Sequence, residues 1–279
     1  MTGIGTSYHA AMIGAWFIRA TGKDARAVSS FDLATYPESW TLHPGDAVVV
    51  MAHTGVKSYS KFALDYAIAA GAAAISVGSA AAEHPGSQKV LRTIEREKSA
   101  AYTSSHLAAM TAMAQLSIQL GSEWNASGIQ GWKERLQELP DLVQGILDRQ
   151  DEVKAVAAEA VSRRIYAAGA GPNEATALEA VIKVREAAYG WIDALAAEQF
   201  LHGPLIGVQP GDMGVMINVP GAALERLASG DLSSRIETDL KGAFSSLRQD
   251  FNQAVEQLSN ALGSVHHSTD RMLTSAEEI

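Results

Sequence analysis

Residues 46–58 read Asp46-Ala-Val-Val-Val-Met-Ala-His-Thr-Gly-Val-Lys-Ser58. The branched apolar run that ends at Met51 is typical of a strand buried on both faces, and the polar residues after it mark the end of that strand. Short apolar runs alternate with helical patterns through the first two thirds of the chain. The other runs lie at residues 74–78, 89–91, 164–168 and 213–219. Strands between helices predict a parallel, doubly wound α/β fold.

The same patterns divide the 279 residues into four regions. One segment carries apolar residues at helical spacing without a strand signal, which predicts a connector between two α/β halves. After Pro220 the strand pattern stops, and apolar residues recur every three or four positions from Leu240 to Ile279, as in a coiled coil. The predicted regions are a first half at 1–123, a helical connector at 124–163, an incomplete second half at 164–220 and a helical tail at 221–279.

The composition argues against several functions. A net charge of -9 without a basic cluster is unfavourable for nucleic-acid binding. The absence of cysteine excludes disulfides, thiolate metal sites and a cysteine nucleophile. No histidine and carboxylate set has the spacing of metal ligands, so we expect neither a metal nor a cofactor. We also expect no signal peptide and no membrane span, and therefore a cytoplasmic protein.

The first segment that suggests a ligand site is Gly3-Ile-Gly-Thr-Ser-Tyr8. It precedes an apolar helix that the pattern predicts from about His9 to Ala20. A glycine turn at this point directs backbone N–H groups and the hydroxyls of Thr6 and Ser7 toward an anion at the helix N-terminus. For this segment taken alone, a plain helix cap made by either hydroxyl is the more common explanation.

A second polar segment follows the strand that ends at Met51, and ligands bind at such strand ends in open α/β sheets. Its donors are His53, Thr54, Lys57 and Ser58. A third segment, residues 97–105, also precedes a helix and contains Ser99, although hydroxyl residues at a helix start are ordinary caps. The first two segments, residues 3–8 and 51–58, are predicted on neighbouring strands, and together they favour an anion site.

Charged residues cluster in the second half. Glu179, Lys183 and Glu186 are separated by four and then three positions and therefore share one face of a helix. A solvated ladder of salt bridges is the simplest interpretation of that spacing. His202 lies just before a Gly-Pro turn, where a lone histidine usually has a structural role.

Together these segments resemble the sugar isomerase (SIS) family, which includes the isomerase part of glucosamine-6-phosphate synthase. The resemblance rests on Ile4-Gly-Thr-Ser-Tyr8, on His53-Thr-Gly55 after a strand and on Ser99 before an alanine-rich helix. Its most specific part is the pattern ALExxxKxxE at residues 177–186, with HGP beginning sixteen residues after Glu186. The resemblance spans roughly residues 3–219.

The resemblance implies a sugar-phosphate site. Its phosphate pocket would contain Thr6, Ser7, His53, Thr54 and Lys57, with Ser58 and Ser99 as further binding residues. The family has neutral side chains where this chain has His53 and Lys57. A residue at the position of Glu186 moves a proton between the first two sugar carbons in the family, and one at the position of His202 assists ring opening. Glu179 and Lys183 would contact the sugar or support the base.

The resemblance implies two alternative functions. The first is a dimeric enzyme, in which His202 comes from the neighbouring subunit, that isomerises a hexose phosphate or deaminates a hexosamine phosphate. No glutaminase region precedes residue 3, so we do not expect a glutamine-dependent synthase. The second is a non-catalytic sugar-phosphate sensor, which the absence of the family's closing tail after Pro220 favours.

The tail resembles the HAMP linker of bacterial chemoreceptors. The similarity lies at Gly230-Asp-Leu232 and at its distance from Phe251-Asn252. A generic coiled coil that dimerises the protein explains the heptads equally well, but it does not explain the Gly-Asp-Leu turn. An incomplete second half joined to such a tail suggests the fusion of two incomplete genes.

Overall fold

A computed structural model describes residues 1–217 together with Gln253 and Glu256. Residues Met1–Ile217 form one compact unit, and the description below concerns this unit. Both sheets of this unit are parallel, which confirms the predicted α/β class. The predicted coiled coil and the HAMP-like segment lie outside the described residues, and the predicted domain boundaries remain predictions.

The first half is a five-stranded parallel sheet with the strand order β2-β1-β3-β4-β5. Its strands are β1 (Thr2–Gly3), β2 (Val28–Ser29), β3 (Ala47–Met51), β4 (Ala73–Gly78) and β5 (Lys89–Arg92). Its helices are α1 (Thr6–Ala20), α2 (Ser30–Thr35), α3 (Ser58–Ala69) and α4 (Thr103–Glu123). Strands β3 and β4 pair along their whole length, from Ala47 opposite Ala73 to Met51 opposite Val77.

Helices cover both faces of this sheet around β3. Successive residues of a strand point to opposite faces, so Val48 and Val50 pack with α2 and α3, while Val49 and Met51 pack with α1 and α4. Because both faces are dry, β3 is apolar without alternation, which is the pattern that predicted it.

The predicted connector contains a 3-10 turn at Ser127–Ile129 and two α-helices, α5 (Trp132–Asp148) and α6 (Gln150–Ala160). The second half follows with a three-stranded parallel sheet in the order β7-β6-β8. Its elements are β6 (Ile165–Gly169), α7 (Pro172–Ala188), β7 (Ile192–Ala196), α8 (Ala197–Leu201) and β8 (Met213–Ile217). A small core of Ala167, Ala177, Ile192 and Ala194 joins α7 to this sheet.

Two details differ from the sequence prediction. Helix α1 begins at Thr6 rather than near His9, because Gly5 adopts a φ of 58° and turns the chain directly into the helix. Strands β2 and β7 were not predicted: β2 has two residues, and Asp193 interrupts the apolar pattern of β7.

The same strand-to-helix turn occurs in both halves. Gly5 has φ 58° and ψ -134° before α1, and Gly171 has φ 59° and ψ -127° before α7. The preceding glycines allow a close approach, since a Cβ at Gly3 would lie 2.5 Å from the Ser7 carbonyl and one at Gly169 would lie 2.1 Å from the Asn173 carbonyl. Helices α1 and α7 pack against each other in opposite directions, because Gly5 lies near Ile182 and Gly171 lies near Trp16, so the two turns are at opposite ends of this helix pair.

Within the described part of the chain, every helix is too short or too polar to cross a membrane.

Candidate functional site

A cavity of about 250 Å³ opens at the carboxyl ends of β1, β3 and β4. Ile4, Ala52 and Gly78 line it where these three strands end, and α1, α3 and α4 contribute the remaining walls. The phosphate-pocket residues that the resemblance implies, Thr6, Ser7, His53, Thr54 and Lys57, all line this cavity. The tertiary structure therefore brings together two loops that are about 50 residues apart in the sequence.

The cavity is suited to an anion. Among its described lining residues there is no aspartate or glutamate, and Lys57 is the one lysine or arginine. Helices α1 and α3 begin at its edge, and neither has a side-chain cap at its N-terminus. The first N–H groups of a helix have no intrahelical partner, so these termini present free donors and positive dipole ends.

His53 is held by a chain of hydrogen bonds. Its Nε2 lies 2.7 Å from Ser105 Oγ, and Ser105 donates to Glu97 Oε2 at 2.6 Å. Because the single hydroxyl proton of Ser105 goes to the carboxylate, His53 Nε2 must carry the proton donated to Ser105. Burial lowers the pKa of His53, more than the nearby Glu97 raises it. His53 is therefore a neutral polar residue of the cavity lining at pH 7, and Lys57 supplies the positive charge of the cavity.

Glu97 caps α4, the third of the helices that line the cavity. It accepts backbone N–H bonds from Thr103, Ser104 and Ser105 at the start of α4. Burial opposes ionisation of Glu97, but the Ser105 hydroxyl and these three amides outweigh burial and lower the pKa to about 2. The sequence analysis missed Glu97, because it lies six residues before the start of α4, outside the positions of the usual capping signals.

Two of the hydroxyl residues predicted to bind the ligand lie outside the cavity lining. Ser99 is exposed, and its hydroxyl accepts the backbone N–H of Ala101. Ser58 is the exposed first residue of α3, whereas Ser60, which the sequence analysis did not single out, lines the cavity.

A buried carboxylate joins the two halves. Glu179 on α7 is 7% exposed, and its Oε2 lies 2.7 Å from His9 Nδ1. Its Oε1 accepts the Thr6 hydroxyl at 2.9 Å. Burial raises the pKa of Glu179, but the His9 hydrogen bond, followed by His106, Thr6 and Lys183, lowers it overall. His9 and His106 were missed because a histidine within an apolar helix carries no functional signal in the sequence.

Lys183 extends this network toward the candidate base. Its Nζ lies 3.2 Å from Thr6 Oγ1, from Glu179 Oε1 and from Glu186 Oε2. Glu186 is 45% exposed and lies next to Lys183, outside the cavity lining. The charged face of α7 therefore contacts Thr6 of the first half. It is not only a ladder of salt bridges on the surface.

His202 is separate from these groups. Its side chain is 78% exposed, and its Nε2 lies 3.2 Å from Glu198 on α8. Within the described chain, no hydrogen bond or ion pair joins His202 to the cavity or to Glu186. Its role in ring opening remains a prediction that requires a second copy of the chain.

The fold of the described residues matches that of known proteins. The C-terminal domain of glucosamine-fructose-6-phosphate aminotransferase from Francisella tularensis has a TM-score of 0.68 at 17% identity, over 82% of this chain and 66% of that one. The fold is that of a sugar isomerase (SIS) domain. The SIS fold is shared with glucosamine-6-phosphate deaminase from Thermotoga maritima, with a TM-score of 0.66 at 17% identity over 84% and 72% of the two chains.

Curated sequences support the same assignment of fold. Glutamine–fructose-6-phosphate aminotransferase from Pyrococcus horikoshii is 26% identical over 250 residues, which are 88% of this chain and 41% of that relative. This chain therefore spans less than half the length of that relative. A chemoreceptor from Caulobacter vibrioides is 43% identical over 55 residues, 20% of this chain and 8% of its own length. No family model matches the chain. The SIS resemblance is confirmed, while the HAMP-like fusion remains a prediction.

Proposed function

We propose that this SIS chain binds the phosphate group of a hexose or hexosamine phosphate in the cavity at the ends of β1, β3 and β4. The observation that carries the proposal is a cavity with hydroxyls, two uncapped helix N-termini and Lys57, but with no carboxylate among its described lining residues. A phosphate dianion needs such donors and a cation. The volume of about 250 Å³ suits a small polar metabolite rather than a larger ligand.

We further propose that the chain isomerises such a sugar phosphate or removes its amine, with Glu186 as the base. Proton transfer between adjacent sugar carbons needs a carboxylate that can reach the ligand above the phosphate. Glu186 is partly exposed and lies on the helix whose Lys183 contacts Thr6 of the phosphate loop. The names of similar proteins, an aminotransferase, a deaminase and an isomerase that act on hexose phosphates, support this chemistry.

A specific observation favours the alternative of a sensor that binds without turnover. His202, the candidate for ring opening, is 78% exposed and bound to Glu198. An enzyme therefore requires a second copy that brings His202 to this cavity, whereas a sensor does not. The two functions share the phosphate pocket and differ in the need for Glu186 and His202.

The first experiment measures ligand binding by isothermal titration calorimetry with fructose 6-phosphate and glucosamine 6-phosphate. We expect Lys57→Met to raise Kd about tenfold or more, because a charge-assisted bond to phosphate is lost. Lys57→Arg is the matched control, since it keeps the charge and should retain most of the affinity. Equal affinity of the wild type and Lys57→Met would contradict the assignment of the pocket.

The second experiment distinguishes enzyme from sensor. Turnover of both sugar phosphates is measured for the wild type, Glu186→Gln and His202→Asn. An enzyme that uses these residues loses turnover in both variants and keeps ligand affinity. A wild type that binds the ligand tightly but leaves it unchanged would support the sensor.

A further inference from the structure

The hydroxyl of Thr6 forms two hydrogen bonds with side chains of α7. It has one proton, which it donates to Glu179 Oε1 at 2.9 Å. It accepts a hydrogen bond from Lys183 Nζ at 3.2 Å. Glu179 is an acceptor only, because its pKa is lowered and it is ionised at neutral pH. Thr6 therefore has no proton left to offer a phosphate, and its remaining lone pair would repel one.

Ser7 and Thr54 differ from Thr6 in this respect. Both line the same cavity, and in the described part of the chain no side-chain hydrogen bond engages either hydroxyl. Their protons are available to a ligand. The sequence motif treats Thr6 and Ser7 as equivalent donors, but the structure separates them.

Lys183 contacts three side chains. Its ammonium group donates hydrogen bonds to Thr6 Oγ1 and Glu186 Oε2 and forms an ion pair with Glu179 Oε1, each at 3.2 Å. Its side chain is only 19% exposed, so water cannot easily replace a missing partner. Loss of the Thr6 hydroxyl would leave one proton without an acceptor and would loosen the orientation toward Glu186.

We propose that Thr6 is a positioning residue whose hydroxyl holds Glu179 and Lys183, so that Lys183 faces Glu186, while Ser7, Thr54 and Lys57 bind the anion. This inference rests on the proposed function, because it assigns Lys183 and Glu186 to the reaction above the same pocket. The new element is that the Thr6 hydroxyl, through Lys183, connects the loop that binds the phosphate to the proposed base Glu186.

The test compares Thr6→Val, Thr6→Ser and Ser7→Ala in steady-state turnover and in calorimetric binding of fructose 6-phosphate. Valine keeps the shape of the side chain and removes the hydroxyl, and serine keeps the hydroxyl. We expect Thr6→Val to change Kd less than about threefold and to lower kcat roughly 10- to 100-fold, the cost of a misplaced reacting group. Thr6→Ser should restore kcat, and Ser7→Ala should raise Kd about tenfold.

Two outcomes would overturn the inference. If Thr6→Val raised Kd as much as Ser7→Ala, Thr6 would be an ordinary phosphate ligand. If Thr6→Val left both Kd and kcat unchanged, the hydroxyl would position nothing that the reaction uses.

A further pair of measurements separates this inference from the proposed function. The pKa of Glu179, followed by carboxyl ¹³C NMR, should rise in Thr6→Val because one of the hydrogen bonds that lowers it is lost. A double-mutant cycle of Thr6→Val with Lys183→Met, measured as Tm, should show non-additive losses. If the wild type lacks turnover, the catalytic proposal fails, and these two results decide for or against the positioning of Glu179 and Lys183. Additive losses with an unchanged Glu179 pKa would overturn it.

Discussion

The two halves of this SIS fold use one backbone turn for different purposes. Gly5 before α1 and Gly171 before α7 have nearly the same φ and ψ values. After Gly5 the chain continues with Thr6 and Ser7, whereas after Gly171 it continues with Pro172 and a first turn that contains Glu174. Hydroxyls at the first turn suit an anion, and an acidic residue at the second already satisfies the helix dipole.

The two halves also contribute to the candidate site from different parts of their structures. The first half provides the cavity and Lys57, while Glu179 and Lys183 of the second half contact Thr6. Packing of α1 against α7 joins the two contributions. Changes in each half should therefore affect stability and binding differently.

The largest expected effect on stability comes from adding a Cβ at the glycine that precedes the turn in each half. Gly3→Ala and Gly169→Ala should each lose more than about 3 kcal/mol of unfolding free energy, because the added carbon overlaps backbone atoms that cannot move aside. Urea denaturation provides the measurement. Gly145→Ala in α5 is the control, where a Cβ meets nothing within 4 Å, and it should stabilise by about 0.5–1 kcal/mol. A stable Gly169→Ala would show that the two turns are not equivalent.

The next largest effect is expected from weakening the hydrogen bonds of Glu179 that join the two halves. Glu179→Gln should cost about 2 kcal/mol at pH 7, because the buried hydrogen bonds to an ionised carboxylate are weakened. The pKa of Glu179 is lowered in the folded protein, so its stabilisation is complete above its ordinary pKa and is lost as the pH falls through the lowered value. The difference in Tm between variant and wild type should therefore shrink in acid.

Exposed Glu159 on α6 provides the control for this change. Glu159→Gln should leave Tm nearly unchanged at every pH. If the difference between Glu179→Gln and wild type grew below pH 4.5, the ordinary pKa, the pKa of Glu179 would not be lowered by folding.

A smaller effect is expected at the cap of α4 within the first half. Glu97→Gln should cost about 1 kcal/mol at pH 7, the usual value for a lost helix cap. The pKa of Glu97 is lowered from 4.5 to about 2, so this stabilisation is present above pH 4.5 and lost as the pH falls toward 2. Thermal melts between pH 2 and 7 measure the loss, with exposed Glu95→Gln as the control. A constant difference across this range would rule out the cap as the cause.

The smallest expected effects are changes in Kd that show which serine residues belong to the binding site. Ser58→Ala and Ser99→Ala should change the Kd of fructose 6-phosphate less than about twofold, because both hydroxyls lie outside the cavity and only an exposed hydrogen bond is at stake. Ser60→Ala is the comparison, since Ser60 lines the cavity. Calorimetry that found a tenfold loss for Ser99→Ala would extend the site to the loop before α4.

Much of the site was predictable from local patterns. The loops that contain Ser7 and Thr54 were found because hydroxyls after a buried strand are a local signal at the ligand-binding edge of a parallel sheet. Ser99 was placed in the site because its loop has the same composition, but composition does not report where a side chain points. His9 carried no signal because its partner Glu179 is 170 residues away in the chain.

The sequence by itself determined the parallel α/β class, the SIS resemblance and the two polar loops that line the cavity, because strand burial and turn chemistry depend on neighbouring residues. Only the tertiary structure decided that Thr6 faces Glu179, that His53 is tied to Ser105 and Glu97, and that His202 stands apart. The contact between Thr6 and Glu179 joins residues 173 positions apart. Such contacts depend on how α1 packs against α7, and no local pattern encodes that packing.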